Sequence, residues 1–126
     1  ASAGIKWEEY NPESREAWFE KKETIGLDFP NLPFLEVDGF KMTESNAIMI
    51  YIARKFKPTL LGHNHEDEAR ILEIMNVIND IRKEFYQAVY SPTPKDKFEA
   101  FNSNQNMVTK MGLVAKFLGE KPFLVC

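Results

Sequence analysis

Residues 28–52, DFPNLPFLEVDGFKMTESNAIMIYI, leave little freedom in local fold. Pro30 and Pro33 bracket Asn31-Leu32, and proline fixes φ and removes a backbone donor, so the chain turns there. Residues 33–37 then read as a strand. Asp38-Gly39 is among the strongest two-residue hairpin signals, so Phe40-Lys41-Met42 is predicted to pair back as a second strand. Thr43-Glu44 leads to Ser45, a residue type favoured at helix N-caps. Residues 46–57 are apolar on almost every side, which predicts a helix buried between layers, and Pro58 stops it.

The flanking segments follow from this unit. Residues 5–10, IKWEEY, mix β-branched, aromatic and charged side chains and predict a short strand, broken by Asn11-Pro12. Residues 13–22 are helix formers with Trp18 and Phe19 expected to face inward. Gly26 marks a loop at residues 24–27. After residue 58 the pattern becomes helical. A long helix is predicted from about Glu66 to Tyr90, with Ile71, Met75, Ile78, Phe85 and Val89 on its inner stripe. Ser91-Pro92-Thr93-Pro94 ends it. One further helix is predicted from about Lys95 to Leu118, with Phe98, Phe101, Val108, Met111, Val114 and Phe117 inward, closing at Gly119. The expected organisation is an α/β unit over residues 1–57, a linker over 58–64 and an all-α unit over 65–126.

Composition narrows the function classes. The 126 residues are 44% hydrophobic and 28% charged, enough to build a core and unlike a disordered chain. A net charge of -3 argues against a nucleic-acid surface. The basic run Arg54, Lys55 and Lys57 suits the negative end of a helix dipole. No apolar run approaches the roughly 20 residues of a membrane span, so no membrane partner is expected. The one cysteine, Cys126, allows no internal disulfide, which favours a reducing, cytoplasmic setting. The chain opens without Met and ends on an apolar run, which predicts packing partners beyond the end.

Several side chains have chemical potential. A turn at Asn31-Leu32-Pro33 can expose backbone groups that take an extended peptide-like ligand as an added strand; on these residues alone an ordinary trans-proline turn is the favoured reading. Ser45 at a helix N-terminus suits a carboxylate, and Glu44 beside it suits an ammonium; a plain N-cap with a neighbouring surface acid accounts for both. Arg15, Trp18 and Lys22 lie at helical spacing and form a set able to clamp a carboxylate, or a solvated helix with one buried indole. His63, His65 and Asp67 are too few for a metal site, so none is expected. Nothing flanking Cys126 argues for a reactive thiol.

Taken together, LDFPNLP, the Asp38-Gly39 turn, Glu44-Ser45-Asn46-Ala47-Ile48 and two long helical stretches resemble the cytosolic glutathione transferases, and most of all the mu class. The resemblance runs from Ile5 to about Phe123. It implies a thioredoxin-like N-terminal domain followed by an all-helical domain, usually in a homodimer, that conjugates glutathione to hydrophobic electrophiles. Glutathione is then a co-substrate, and no cofactor is expected. By resemblance, Leu32 before a cis Pro33 pairs with the cysteinyl part of glutathione, with Asn31 beside it. Ser45 takes the γ-glutamyl carboxylate. Glu44 stands where the mu class has Gln and holds the ammonium. Trp18 and Lys22 hold the glycyl carboxylate, with Arg15 close by. Asp80 reaches the γ-glutamyl group of a partner subunit's ligand, and Tyr90 presents its hydroxyl to the electrophile. Phe29, at the tip of its loop, suits a hydrophobic key into that partner.

The resemblance also carries departures. The chain begins at what resembles the family's second strand, so the first strand, first helix and catalytic Tyr are expected to be missing, and the helical domain to be incomplete. The expectation is a chain that retains the glutathione-binding half-site without the hydroxyl that favours the thiolate. A non-catalytic binding or dimerisation module of the same fold is the alternative. An isomerase of the sigma class is a third reading, against which the FPNLP loop argues.

Overall fold

The computed structural model describes residues 4–124. The chain divides into two compact units, Ala1–Leu61 and Gly62–Cys126.

In the first unit, α1 spans Arg15–Lys21. Ser14 caps it, its hydroxyl accepting the Ala17 N–H at 3.1 Å. Strands β1 (Phe34–Val37) and β2 (Phe40–Thr43) form an antiparallel hairpin whose register pairs Phe34 with Thr43 and Val37 with Phe40. The turn residues Asp38 and Gly39 both have positive φ, 53° and 82°, the mirror-image turn that matches strand twist and that Asp-Gly favours. Helix α2 follows over Ser45–Phe56, and a 3-10 turn at Pro58–Leu61 buries Leu61 against it.

Two expectations for the layout of this unit's elements fail. Residues 5–10 form no strand: among the described residues β1 and β2 pair only with each other, so this segment has no ladder partner there and Trp7 stays exposed. Tyr10 instead rests against the Phe34 ring at 6.0 Å. Nor is α2 buried on all sides. Only Ala53 is buried and Met49 is 50% exposed, because the two-stranded sheet covers one face of the helix.

Among the described residues the second unit holds three helices. Helix α3 spans His65–Val89. Asn64 accepts the Asp67 N–H at 2.8 Å, while the Asp67 carboxylate accepts the His63 N–H at 2.9 Å. This is a reciprocal cap that satisfies two donors at the helix start. Gly62, at φ +88°, is required there, since a Cβ would lie 2.2 Å from that of Asp67. The predicted Lys95–Leu118 helix is two helices, α4 (Pro94–Ser103) and α5 (Gln105–Leu118). The break falls at Asn104, whose side chain accepts the N–H groups of Asn106 and Met107 at 3.0 and 3.4 Å. Such local bonding competes with helix continuation and restarts it. Restarting shifts the inward face of α5: Met107 is buried, while Val108 and Met111, predicted to point inward, are exposed. Phe85 meets Phe98 and Phe101 edge-on at 5.6 and 6.0 Å and joins α3 to α4. Gly119 ends α5 at φ 55°, as predicted. Among the described residues no helix is long and apolar enough to cross a membrane. Cys126 lies outside them.

Candidate functional site

The hairpin register places two of the candidate segments side by side. Phe34 opens β1 and Thr43 closes β2, and the two are paired. Leu32-Pro33 and Glu44-Ser45 therefore lie at the same end of the sheet, opposite the Asp38-Gly39 turn. Trp18 comes to this end too. It is buried, stacked on Phe34 with centroids 6.3 Å apart and planes 13° from parallel.

Loop 25–33 is held in position by β2. The buried Thr43 hydroxyl donates to the Phe29 carbonyl at 2.9 Å, and Lys41 Nζ donates to the Ile25 carbonyl at 2.7 Å. Leu27, within the loop, is itself buried. Sequence reasoning missed both anchors. Their signal is weak: a Thr and a Lys at alternate positions of a short strand look like ordinary strand residues until the loop folds back over them. The Leu32–Pro33 peptide is cis. The Leu32 N–H, assigned by resemblance to the ligand, here donates to the Asn31 side-chain oxygen at 2.9 Å.

At the start of α2 the cap is shifted by one residue from expectation. Glu44 occupies the cap position with φ 72° and makes no side-chain cap bond, and Ser45 is the first helical residue. The positive φ of Glu44 is what swings the chain from β2 into α2, and it costs a non-glycine residue about 1–3 kcal/mol. The helix N–H groups at Ser45, Asn46 and Ala47 precede the first intrahelical bond, which runs from Ile48 N–H to the Glu44 carbonyl at 2.9 Å. They are thus open donors at the positive end of the helix dipole. The Glu44 carboxylate is exposed, with no ion pair among the described residues.

Helix α1 presents its charges around Phe19 rather than Trp18. Phe19, expected inward, is exposed, and Arg15 and Lys22 sit over its ring at 5.5 and 5.1 Å. One turn of helix separates each cation from the ring, which allows both to cover it. Lys22 also pairs with Glu23 at 3.3 Å. The result is a cationic face on α1 around Phe19, and, at the hairpin end, an exposed acid and an open helix start. That arrangement suits a ligand carrying carboxylates and an ammonium.

The remaining two candidates lie in the helical unit. The Asp80 carboxylate pairs with Lys110 of α5 in the same chain, and that hydrogen bond, reinforced by the charges of Lys110 and Lys83, holds its pKa below the ordinary carboxylate value. Tyr90 is 82% exposed, its ring 6.2 Å from that of Tyr86, whose hydroxyl accepts from Arg82 at 2.9 Å. His63, His65 and Asp67 belong to the start of α3, and no cluster able to hold a metal occurs among the described residues. At the other end of the hairpin Lys55 pairs with Asp38 at 2.7 Å, so this member of the basic run is a latch on the turn as well as a helix-end charge. The Asp38 bond is the chief cause of its raised pKa. Phe29 is 77% exposed at its loop tip.

Known proteins resemble this chain in sequence and in fold. Residues 1–54 match the family model for the glutathione S-transferase N-terminal domain. Glutathione S-transferase B of Cavia porcellus is 41% identical over 110 residues, which are 86% of this chain and 48% of that protein. The class-mu 26 kDa isozyme 51 of Fasciola hepatica is 38% identical over 125 residues, 96% of this chain and 55% of that one. Glutathione S-transferase Mu 4 of Homo sapiens is 36% identical over 113 residues, 88% and 49% of the two chains. In three dimensions the glutathione S-transferase Blo t 8 matches with a TM-score of 0.69 at 33% identity, covering 82% of this chain and 47% of that chain. The chain spans about half the length of the curated relatives it matches. Over most of its length it is similar to the mu-class glutathione S-transferases, with a thioredoxin-like N-terminal unit followed by helices.

Proposed function

We propose that the Phe34–Thr43 end of the hairpin binds glutathione, and that the protein serves conjugation of reduced glutathione to electrophilic small molecules. The observation that carries this reading is the register pairing of Phe34 with Thr43. It brings Asn31, Leu32 and Pro33 beside Glu44 and Ser45, with Trp18 stacked on the same strand.

In this reading the start of α2 and the Ser45 hydroxyl receive the γ-glutamyl carboxylate, and Glu44 receives the ammonium. Trp18, Lys22 and Arg15 face the glycyl carboxylate. The Leu32 backbone takes the cysteinyl amide, and its N–H exchanges the Asn31 oxygen for the ligand. Conjugation then needs the thiol as thiolate. Its sulfur forms a bond to the electrophilic carbon, and the leaving group departs with the displaced electron pair. The reading assigns no thiol-activating hydroxyl within this chain. Tyr90 is assigned to the electrophile and Asp80 to a partner's ligand in a homodimer, in a cytoplasmic setting. For Asp80 this requires release from Lys110. Residues 1–57 form the glutathione-binding domain and residues 65–126 the helical one.

A non-catalytic glutathione-binding module is the second reading. What favours it is that the groups gathered at the hairpin end serve charge and backbone recognition, with none assigned to the sulfur. Calorimetric titration with glutathione, alongside a chromogenic conjugation assay on the same preparation, separates the two. Binding with turnover supports the transferase. Binding without turnover supports the module, and absence of binding overturns both.

A further inference from the structure

The α3–α4 connection carries a feature that glutathione chemistry does not use. Ser91-Pro92-Thr93-Pro94 places two hydroxyl residues each directly before a proline. Proline biases the residue before it towards extended backbone and offers no N–H of its own. An enzyme cleft that reads an extended hydroxyl residue followed by an apolar ring without a donor therefore selects this dipeptide.

The structure distinguishes the two hydroxyls. Ser91 is half-buried and its oxygen accepts the Thr93 N–H at 3.1 Å, which ties it into the turn. Thr93 is exposed, with φ -122° and ψ 69°. Its hydroxyl makes no cap bond to α4, and among the described residues it is in hydrogen-bonding reach of Ser91 Oγ at 3.5 Å. The first turn of α4 is weakly held. Lys95, Asp96 and Lys97 are all exposed, and Phe98, in the next turn, meets Phe85 of α3. Segments with few buried contacts and solvent-exposed backbone bonds open at little cost, so residues 91–97 can extend into a cleft while Phe98 and Phe101 keep the rest of α4 in place.

We propose that Thr93 is a phosphorylation site for a proline-directed protein kinase, and that its phosphate completes the missing cap of α4. In the transfer, Thr93 Oγ1 forms a bond to the γ-phosphorus of a nucleoside triphosphate. The bond from that phosphorus to the β–γ bridging oxygen breaks, the nucleoside diphosphate leaves with the electron pair, and the hydroxyl proton passes to a base of the kinase. The product adds about two negative charges at a helix start, where open N–H donors and the dipole favour them. Lys95 and Lys97 flank it, and Asp96 is the single opposing charge in the first turn.

The test treats the whole chain with a proline-directed serine/threonine kinase and magnesium ATP, then locates the label by intact mass and fragment sequencing. One phosphate per chain on Thr93 is expected. It should be lost in Thr93→Val and in Pro94→Ala, retained in Ser91→Ala, and accompanied by slower amide exchange at residues 95–97. No incorporation, incorporation at Ser91 instead, equal labelling of the Thr93→Val variant, or unchanged exchange after phosphorylation would each overturn the proposal.

Discussion

At the level of single residues, Glu44 carries the sharpest conflict between stability and binding. Its φ of 72° is unfavourable for any residue with a Cβ, yet its carboxylate sits at the hairpin end where a charged head group is proposed to dock. Glu44→Gly should therefore raise stability by about 1 kcal/mol while weakening glutathione binding. Glu44→Gln should weaken binding with stability unchanged. Paired urea melts and titrations check both. Ser45→Ala removes a hydroxyl with no structural bond here, so its melting curve should stay put while the glutathione Kd rises about 10- to 100-fold, the usual worth of a bond to a charged group. Trp18 behaves oppositely. It is buried on Phe34, and Trp18→Ala should cost about 3–5 kcal/mol by denaturant unfolding, more than any change at exposed Arg15 or Phe19.

At the level of elements, a clip between two helices contributes to the pH response. Asp80 of α3 is stabilised as the anion by Lys110 of α5, so its folded pKa lies below its unfolded one. That contribution is present above the unfolded value and is lost as pH falls through the folded value. Thermal melts taken downward from about pH 5 to about pH 2 should show a steeper loss in the wild type than in Lys110→Met. Elements were also where the sequence was most and least informative. Asp38-Gly39 announced its hairpin because few dipeptides tolerate two consecutive positive φ values, and Gly119 announced the end of α5 for the same reason. The break at Asn104 was not legible. The apolar period runs through it, and only the capping bonds from its side chain to Asn106 and Met107 mark the restart. The strand expected at residues 5–10 failed for a different reason: alternation shows that a segment is suited to a sheet, whereas pairing needs a neighbour the segment itself does not encode.

At the level of the whole molecule, candidate residues that look unremarkable in isolation acquire meaning from where the fold puts them. Leu32, Pro33, Glu44, Ser45 and Trp18 could be listed from sequence and from family resemblance, but their convergence follows from one strand register and one aromatic stack. What the sequence did not reveal is the scaffold beneath them, the Thr43 and Lys41 bonds that fasten the 25–33 loop. These link residues 14 and 16 positions apart and have no local signature. The central claim is that this hairpin end recognises glutathione. Isothermal titration of the intact chain with reduced glutathione, repeated with Ser45→Ala, tests it most directly. The account predicts one saturable site per chain whose affinity falls in the variant at unchanged thermal stability. Absence of heat in the folded wild type, or identical affinity in the two proteins, would contradict it.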